Sequence, residues 1–219
     1  MPNITQAVAE IVKQRPFLEE GLASGIINQA YLADSLKDEI ERMTGKQTNR
    51  YAIIMAIRRL AESLSDSFVA TSILNLHGSE VAVISGISEI TVSKSATANK
   101  RIEHLYSKFD PSKGDFLAVT QGLYESTILF SAKHAETVRK AFSQKEVIYS
   151  ADNLASLIVK ISGSAADSIG VLYSLTKILS WENINIIEMV STRTEEIFIL
   201  RESDAAAGFS AISKAVGRK

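Results

Sequence analysis

Residues Gly163 to Val171, reading Gly-Ser-Ala-Ala-Asp-Ser-Ile-Gly-Val, are the stretch of this chain best equipped to hold a small molecule. They lie between an apolar run, Leu154–Ile161, and an amphipathic run, Val171–Leu179, in which Leu172, Leu175 and Leu179 share a face. A strand, a loop and a helix are therefore expected. A helix N-terminus offers unbonded backbone N–H groups and partial positive charge, which suit a carboxylate. Gly170 removes a side chain where a ligand would approach, with Ile169 and Val171 on either side of it. Ser164, Asp167 and Ser168 can meet an ammonium or hydroxyl group. Asn183, Asn185 and Ile186 begin the next strand, which faces the loop of a neighbouring unit when such sheets pair side by side. Plainer uses exist for each. Asp167 or Ser168 can cap the helix, Gly170 can serve close packing, and Asn183 and Asn185 can shape a turn.

Other chemistry is missing. The three histidines, His77, His104 and His134, are scattered without metal-ligand spacing. His77 reads as a turn residue and His134 as a helix start. No glycine-rich phosphate loop or nucleophile elbow is present. The pairs Glu19-Glu20 and Glu195-Glu196 are expected to be solvated. The expectation is a non-enzyme without cofactor or metal.

The chain has 219 residues, 46% of them hydrophobic, enough for two or three small domains with real cores. Twenty-four basic residues balance 25 acidic ones, so the whole chain has no pull toward nucleic acid or an anionic membrane. Cysteine is absent, which removes disulfides and thiolate chemistry. Neither a signal peptide nor an apolar run of about 20 residues is seen, so a cytoplasmic protein without membrane contact is expected.

Residues 4–64 carry helical periodicity. Ile4, Val8, Ile11 and Val12 form one stripe; Pro16 can open a short helix over Phe17–Ala23. Asn28 can cap the next helix, with Leu32, Leu36, Ile40 and Met43 inward. Thr48 is expected to cap the last, with Ile53, Ile57 and Leu60 inward. The segment ending in Asn-Arg-Tyr-Ala-Ile-Ile-Met-Ala-Ile-Arg-Arg-Leu looks like a helix-turn-helix or winged-helix domain. That would place Arg50, Arg58 and Arg59 near DNA. Charge argues the other way. Residues 1–64 hold eight Lys/Arg and eight Asp/Glu, and Asp34, Asp38, Glu39 and Glu41 on one helix would repel phosphate.

Strand signals begin at Asp66. Phe68–Leu76, Val81–Ile84 and Ile87–Val92 are expected strands. Ala98–Phe109 reads as a helix with Ile102, Leu105 and Tyr106 on one face. Phe116–Thr120 and Ser126–Phe130 form a hairpin, His134–Phe142 a helix and Glu146–Tyr149 a closing strand. From Ile87 the order is β-α-β-β-α-β, that of a ferredoxin-like unit. A second unit starts at Leu154–Ile161 and continues through strands Asn183–Val190 and Ile197–Leu200. It ends in a helix over Ala205–Val216 with Phe209, Ile212 and Val216 inward. Its fourth strand is missing. Because an uncovered edge is costly, Phe68–Leu76, Val81–Ile84 or a partner chain should supply it.

The C-terminal segment resembles the ACT domain of the aspartokinase type. The residues that carry the resemblance are Ile169-Gly170-Val171, Ile184-Asn185-Ile186 and Met189-Val190-Ser191-Thr192, within a match of about 65 residues. Two residues, Ile187 and Glu188, separate Ile186 from Met189 where that pattern usually has one. Ile169 stands where a proline is common. The resemblance implies an amino-acid-binding regulatory module and a homodimer formed through ACT-like sheets. It does not imply kinase activity, for which too few residues remain.

The expected fold class is α+β. A three-helix, winged-helix-like domain (1–65) precedes tandem ferredoxin-like βαββαβ (ACT-like) units, the first over 66–150 and the second over 151–219. The expected function is regulatory binding of an amino acid or similar small metabolite. Two alternatives stand beside it: a ligand-responsive transcriptional regulator that binds DNA through its N-terminal helices, and an assembly module with no ligand.

Overall fold

Pro16 breaks the first apolar stripe, and the N-terminal segment therefore folds as four helices rather than three. The computed structural model describes residues 1–64 and 76–217. In its first part α1 (Ile4–Lys13), α2 (Pro16–Ala23), α3 (Gln29–Thr44) and α4 (Arg50–Leu64) pack around Val8, Ile11, Leu22, Leu36, Ile40, Ile53 and Ile57. Asn3 and Gln6 form a capping box on α1, and the Asn28 side chain accepts from the amides of Ala30 and Tyr31 to start α3. Asn49, not Thr48, accepts from the amide of Tyr51 at the head of α4. The Thr48 amide instead donates to Glu41 Oε1 at 2.8 Å. Met43 and Leu60, expected inward, are only partly buried. The described residues of this part contain no strand, and so no wing. The compact units of the chain are Met1–Thr71 and Ser72–Lys219.

The second unit is built on one antiparallel sheet of six strands. It comprises β1 (Glu80–Ser93), α5 (Ala96–Tyr106), β2 (Leu117–Gln121), β3 (Glu125–Ser131), α6 (Ala135–Ala141), β4 (Val147–Lys160), α7 (Val171–Trp181), β5 (Glu188–Ser191), β6 (Glu195–Arg201) and α8 (Ala205–Val216). The sheet order is β2-β3-β1-β4-β6-β5. Val81–Ile84 and Ile87–Val92 are one strand, not two, and so are Glu146–Tyr149 and Leu154–Ile161. The sheet signal broke in the sequence because each long strand is bulged. Gly86 has φ +71° and Asn153 φ +57°, and the β1–β4 register shifts beside both. The expected strand Phe68–Leu76 falls outside the described residues except for Leu76, which is fully buried.

Long strands let two ferredoxin-like halves share one sheet. In the first half, Ile87–Ser93, β2, β3 and the start of β4 give the spatial order 2-3-1-4. In the second, the front of β1 lies against the end of β4, from Glu80 beside Lys160 to Ser85 beside Ala155. Val81–Ile84 thus occupies the fourth-strand position of the C-terminal half, and the two units are interlocked rather than tandem. His77 Nδ1 and the Gly78 amide both lie 3.2 Å from the Val216 carbonyl, which ties the start of β1 to the end of α8.

Each half carries two helices on one face. Ile90, Val92, Ile128 and Phe130 pack against Ile102, Leu105 and Val138 of α5 and α6. Leu157, Val159, Phe198 and Leu200 pack against Leu175, Leu179, Ile212 and Val216 of α7 and α8. A third cluster, centred on Ile87, Leu129, Leu154, Ile197 and Ile199, contains no helical residue and belongs to the opposite face. Three residues expected inward point outward: Tyr106, Leu172 and Phe209. On α7 the buried edge follows Val171, Leu175 and Leu179 at spacings of four, which leaves Leu172 beside it.

Candidate functional site

After Ile161 the chain makes a single helical turn, Gly163–Ala166, capped by Ser162 Oγ, which accepts from the Ala165 amide at 3.1 Å. Gly170 follows with φ +91°, a conformation that a side chain disfavours, and it is the N-cap of α7. No side chain caps α7. Gly170, and neither Asp167 nor Ser168, is its N-cap residue. Ser168 Oγ donates to the Ser164 carbonyl at 3.0 Å, and Ser164 Oγ lies 3.0 Å from Ser162 Oγ. Asp167 is held by Arg193, Nη2 to Oδ2 at 2.9 Å, with both side chains about two-thirds exposed. It already has a cationic partner in this structure. Ile169 is 77% exposed, while Val171 is buried under the loop.

Asn183, Asn185 and Ile186 sit at the other end of α7, about 16 Å from the loop for an eleven-residue helix. Asn183 takes φ +57° and closes the helix, its amide donating to Ser180 and that of Ile184 to Leu179. Asn185 and Ile186 come after it, ahead of β5, which starts only at Glu188. Within one chain the loop and this turn do not form one site. Ser164, Asp167, Ser168, Ile169, Gly170 and Val171 stay together, and Asn185 and Ile186 line a different cleft.

That cleft, of about 810 Å³, opens on the helix-free face of the sheet. β1 and β3 bound it on one side and Asn185–Glu188 on the other, although β5 stands three strands from β1 in the sheet. Bulges in the long strands curl the sheet enough to bring them together. Glu89, in the middle of β1, is only 2% exposed and lines this cleft. Its Oε1 accepts a long bond from Thr91 Oγ1 at 3.4 Å, and its Oε2 has no partner. Burial, and then the nearby Glu188, push its carboxyl above the ordinary range. Thr91 and Thr127 share a hydroxyl–hydroxyl bond of 2.9 Å beside it.

A second buried acid, Glu196, lies on the other face. It pairs with Val159 and Ser191 near the end of β4 where the Ser162–Gly170 loop begins. Its exposure is 7%, Oε2 is without a partner, and burial raises its carboxyl. The expectation of a solvated Glu195-Glu196 pair fails at Glu196. Sequence reasoning missed both acids, because a Glu in a strand reads locally as an exposed polar position.

The three arginines expected near DNA are already engaged. Arg50 makes a two-point pair with Asp34, at 2.5 and 2.8 Å, Arg58 pairs with Glu62, and Arg59 Nε donates to the Met55 carbonyl. Among the described residues no three His, Cys, Asp or Glu side chains are grouped to hold a metal ion, and no helix is long and apolar enough to cross a membrane.

No protein-family model matches this chain, and no curated protein sequence does. Solved structures match it in fold. The ligand-free regulatory subunit of aspartate kinase from Thermus thermophilus aligns with a TM-score of 0.51 at 14% identity, over 62% of this chain and 95% of that one. The corresponding subunit from Thermus flavus gives 0.50 at 16%, over 62% and 95%. The allosteric aspartate kinase of Clostridium acetobutylicum gives 0.52 at 16%, over 64% of this chain but only 36% of its own length. At such identities the likeness is one of fold: the chain is α+β and shares its architecture with the regulatory part of aspartate kinases.

Proposed function

We propose that this is a non-catalytic regulatory protein whose sheet unit binds an amino acid or similar small metabolite at the Ser164–Val171 loop. The observation that carries the reading is the start of α7. Its first turn has no side-chain cap, it follows a glycine at φ +91°, and an exposed loop stands over it. Backbone N–H groups there can receive a carboxylate. The aspartate kinase fold supports the reading, because the solved structures that share it are regulatory subunits or an allosteric enzyme.

The Asn183–Ile186 turn can join the loop only from a neighbouring unit. The edges of the sheet, β2 and β5, offer a place for one. A homodimer paired through such an edge is part of the proposal, since an uncovered edge invites another strand. The DNA-binding alternative is weakened by the Arg50–Asp34 and Arg58–Glu62 pairs, which occupy the arginines it would use.

The test is a thermal-shift screen of the twenty amino acids on the full chain and on Gly170→Asp. A ligand at one hundred times its Kd stabilises by about 2.7 kcal/mol, a rise of several degrees for a unit of this size. One compound should give that rise, and the variant should lose it. No shift with any compound would overturn the reading.

A further inference from the structure

We propose that the cleft on the helix-free face is a separate binding site for a small alkylammonium compound, with Glu89 and Glu188 as its counter-ions. The inference does not depend on the Ser164–Val171 loop, none of whose residues line the cleft.

Glu89 carries the argument. A carboxyl only 2% exposed, with an unpartnered oxygen at the wall of a cavity, is costly unless something meets it. No basic side chain bonds its free oxygen, although Arg201 also lines the cleft. Arg139 and Arg101 of the first half are bound to Asp152 and Glu146. The burden on Glu89 is increased by Glu188, which faces it across the cleft.

Charge selects a cation as the ligand. Glu89, Glu125, Asp152, Glu188 and Glu202 line the cleft against Arg201 alone. A metal ion is disfavoured, because the described residues bring no three carboxylate or imidazole groups together. A tetrahedral ammonium needs less: one carboxylate and two hydroxyl acceptors. Glu89, Thr91 and Thr127 supply these, with the hydroxyl pair at 2.9 Å and Thr91 bonded to Glu89. Ile148, Leu154 and Ile187 give the cleft apolar walls for a short alkyl chain. About 810 Å³ is ample for a molecule of this kind.

The experiment is calorimetric titration of the full chain with butylamine and with cadaverine, using butanol as the uncharged control. Saturable binding of either amine, no saturable binding of butanol, and an affinity at least about tenfold weaker in Glu89→Gln are expected. Binding should survive in Gly170→Asp, which separates this site from the loop. Should Glu89→Gln fail to fold, as judged by circular dichroism, Glu188→Gln on the edge strand takes its place, and it should weaken binding in the same sense. Absence of saturable amine binding, equal binding of butanol, or unchanged affinity in the folded Glu variant would each overturn the proposal.

Discussion

The two halves of the sheet unit repeat one plan but place their acids on opposite faces. β1 from Ile87 corresponds to β4 from Leu154, and β3 corresponds to β6. In the first half the helix-free face has Glu89 and the helix face has Ser126. In the second half the matching positions are Ser156 and Glu196. All four are buried, and each has a polar atom without a partner. The strand-to-helix loops differ as well. In the first half Ser93-Lys94-Ser95 is short, and Ser95 Oγ caps α5 by accepting from Ala98 at 3.0 Å. In the second half nine residues intervene between Ile161 and Val171, and α7 has no side-chain cap. The repeated framework thus keeps its apolar core in register while its polar positions differ. The difference leaves one half with an acid on the cleft, and the other with an open loop above a buried acid.

Whether the halves are one cooperative body is the comparison with the largest expected effect. Phe130 and Phe198 are the largest fully buried side chains, one in each half. Either one changed to alanine should cost about 3–5 kcal/mol. Since β1 and β4 each run through both halves, both variants should lower a single unfolding transition of the sheet unit. Calorimetry that shows Phe130→Ala and Phe198→Ala moving two different transitions would break the picture of a shared sheet.

The acids come next, and their effect has a sign. Glu89 and Glu196 have carboxyls raised above the ordinary 4.5. The native state therefore holds their protons more tightly than the unfolded chain. Their contribution to stability is fully present below about pH 4.5 and is lost as pH rises through the raised values. Glu89→Gln and Glu196→Gln should match the wild type in thermal midpoint at pH 4 and exceed it at pH 8. Two other acids of the first half act oppositely. Asp152, bonded to Ser88 and Arg139, and Glu146, held down to about 2 by Ser143 and Arg101, contribute stability that is lost as pH falls. Asp152→Asn should therefore lose stability at pH 7 and converge on the wild type in acid. Melting curves across pH 4–8 check both signs.

Sequence patterning made the framework legible for a physical reason. Val81, Val83, Ile90 and Val92 alternate as half-buried strands do, and α8 was bounded at Ala205–Val216 because its apolar spacing runs unbroken. What the sequence hid lies at the bulges. Gly86 and Asn153 break the period-two pattern, so two continuous strands read as four pieces, and the interlocking of the halves was visible only as a missing strand. The loop Ser164–Val171 was legible as small residues before a helix. The cleft was not, because it joins residues from five strands and its key acid, Glu89, reads locally as a polar residue in a half-exposed strand. Asn185 and Ile186 were named for the loop and lie in the cleft, since α7 separates them from Gly170.

The loops themselves give the smaller effects. Ser95→Ala removes a cap that α5 uses and should cost about 1 kcal/mol. Gly170→Ala should cost a similar amount for another reason, the strain of a side chain at φ +91°. Two losses of equal size then differ in consequence. Only the glycine variant should change the response to an amino acid in the thermal-shift screen, because of the two helices α7 alone starts without a side-chain cap. An equal change in both would remove the distinction between the two loops.

The smallest effect is the most discriminating. Arg193 and Asp167 form an exposed pair, with side chains 69% and 67% accessible, so Arg193→Ala should change stability by less than about 0.5 kcal/mol. Its effect on the loop is another matter. Arg193, in the β5–β6 hairpin, is the partner that occupies Asp167, and removing it returns a carboxylate to the loop above α7. A ligand that meets the loop with an ammonium group should then bind more tightly, and one that meets it only with a carboxylate should bind more weakly. Comparing an amino acid found in the screen with its N-acetyl derivative, on wild type and Arg193→Ala, reads which end of the molecule the loop holds. If neither compound responds to the variant, Asp167 is a surface residue, and the open start of α7 alone must account for recognition.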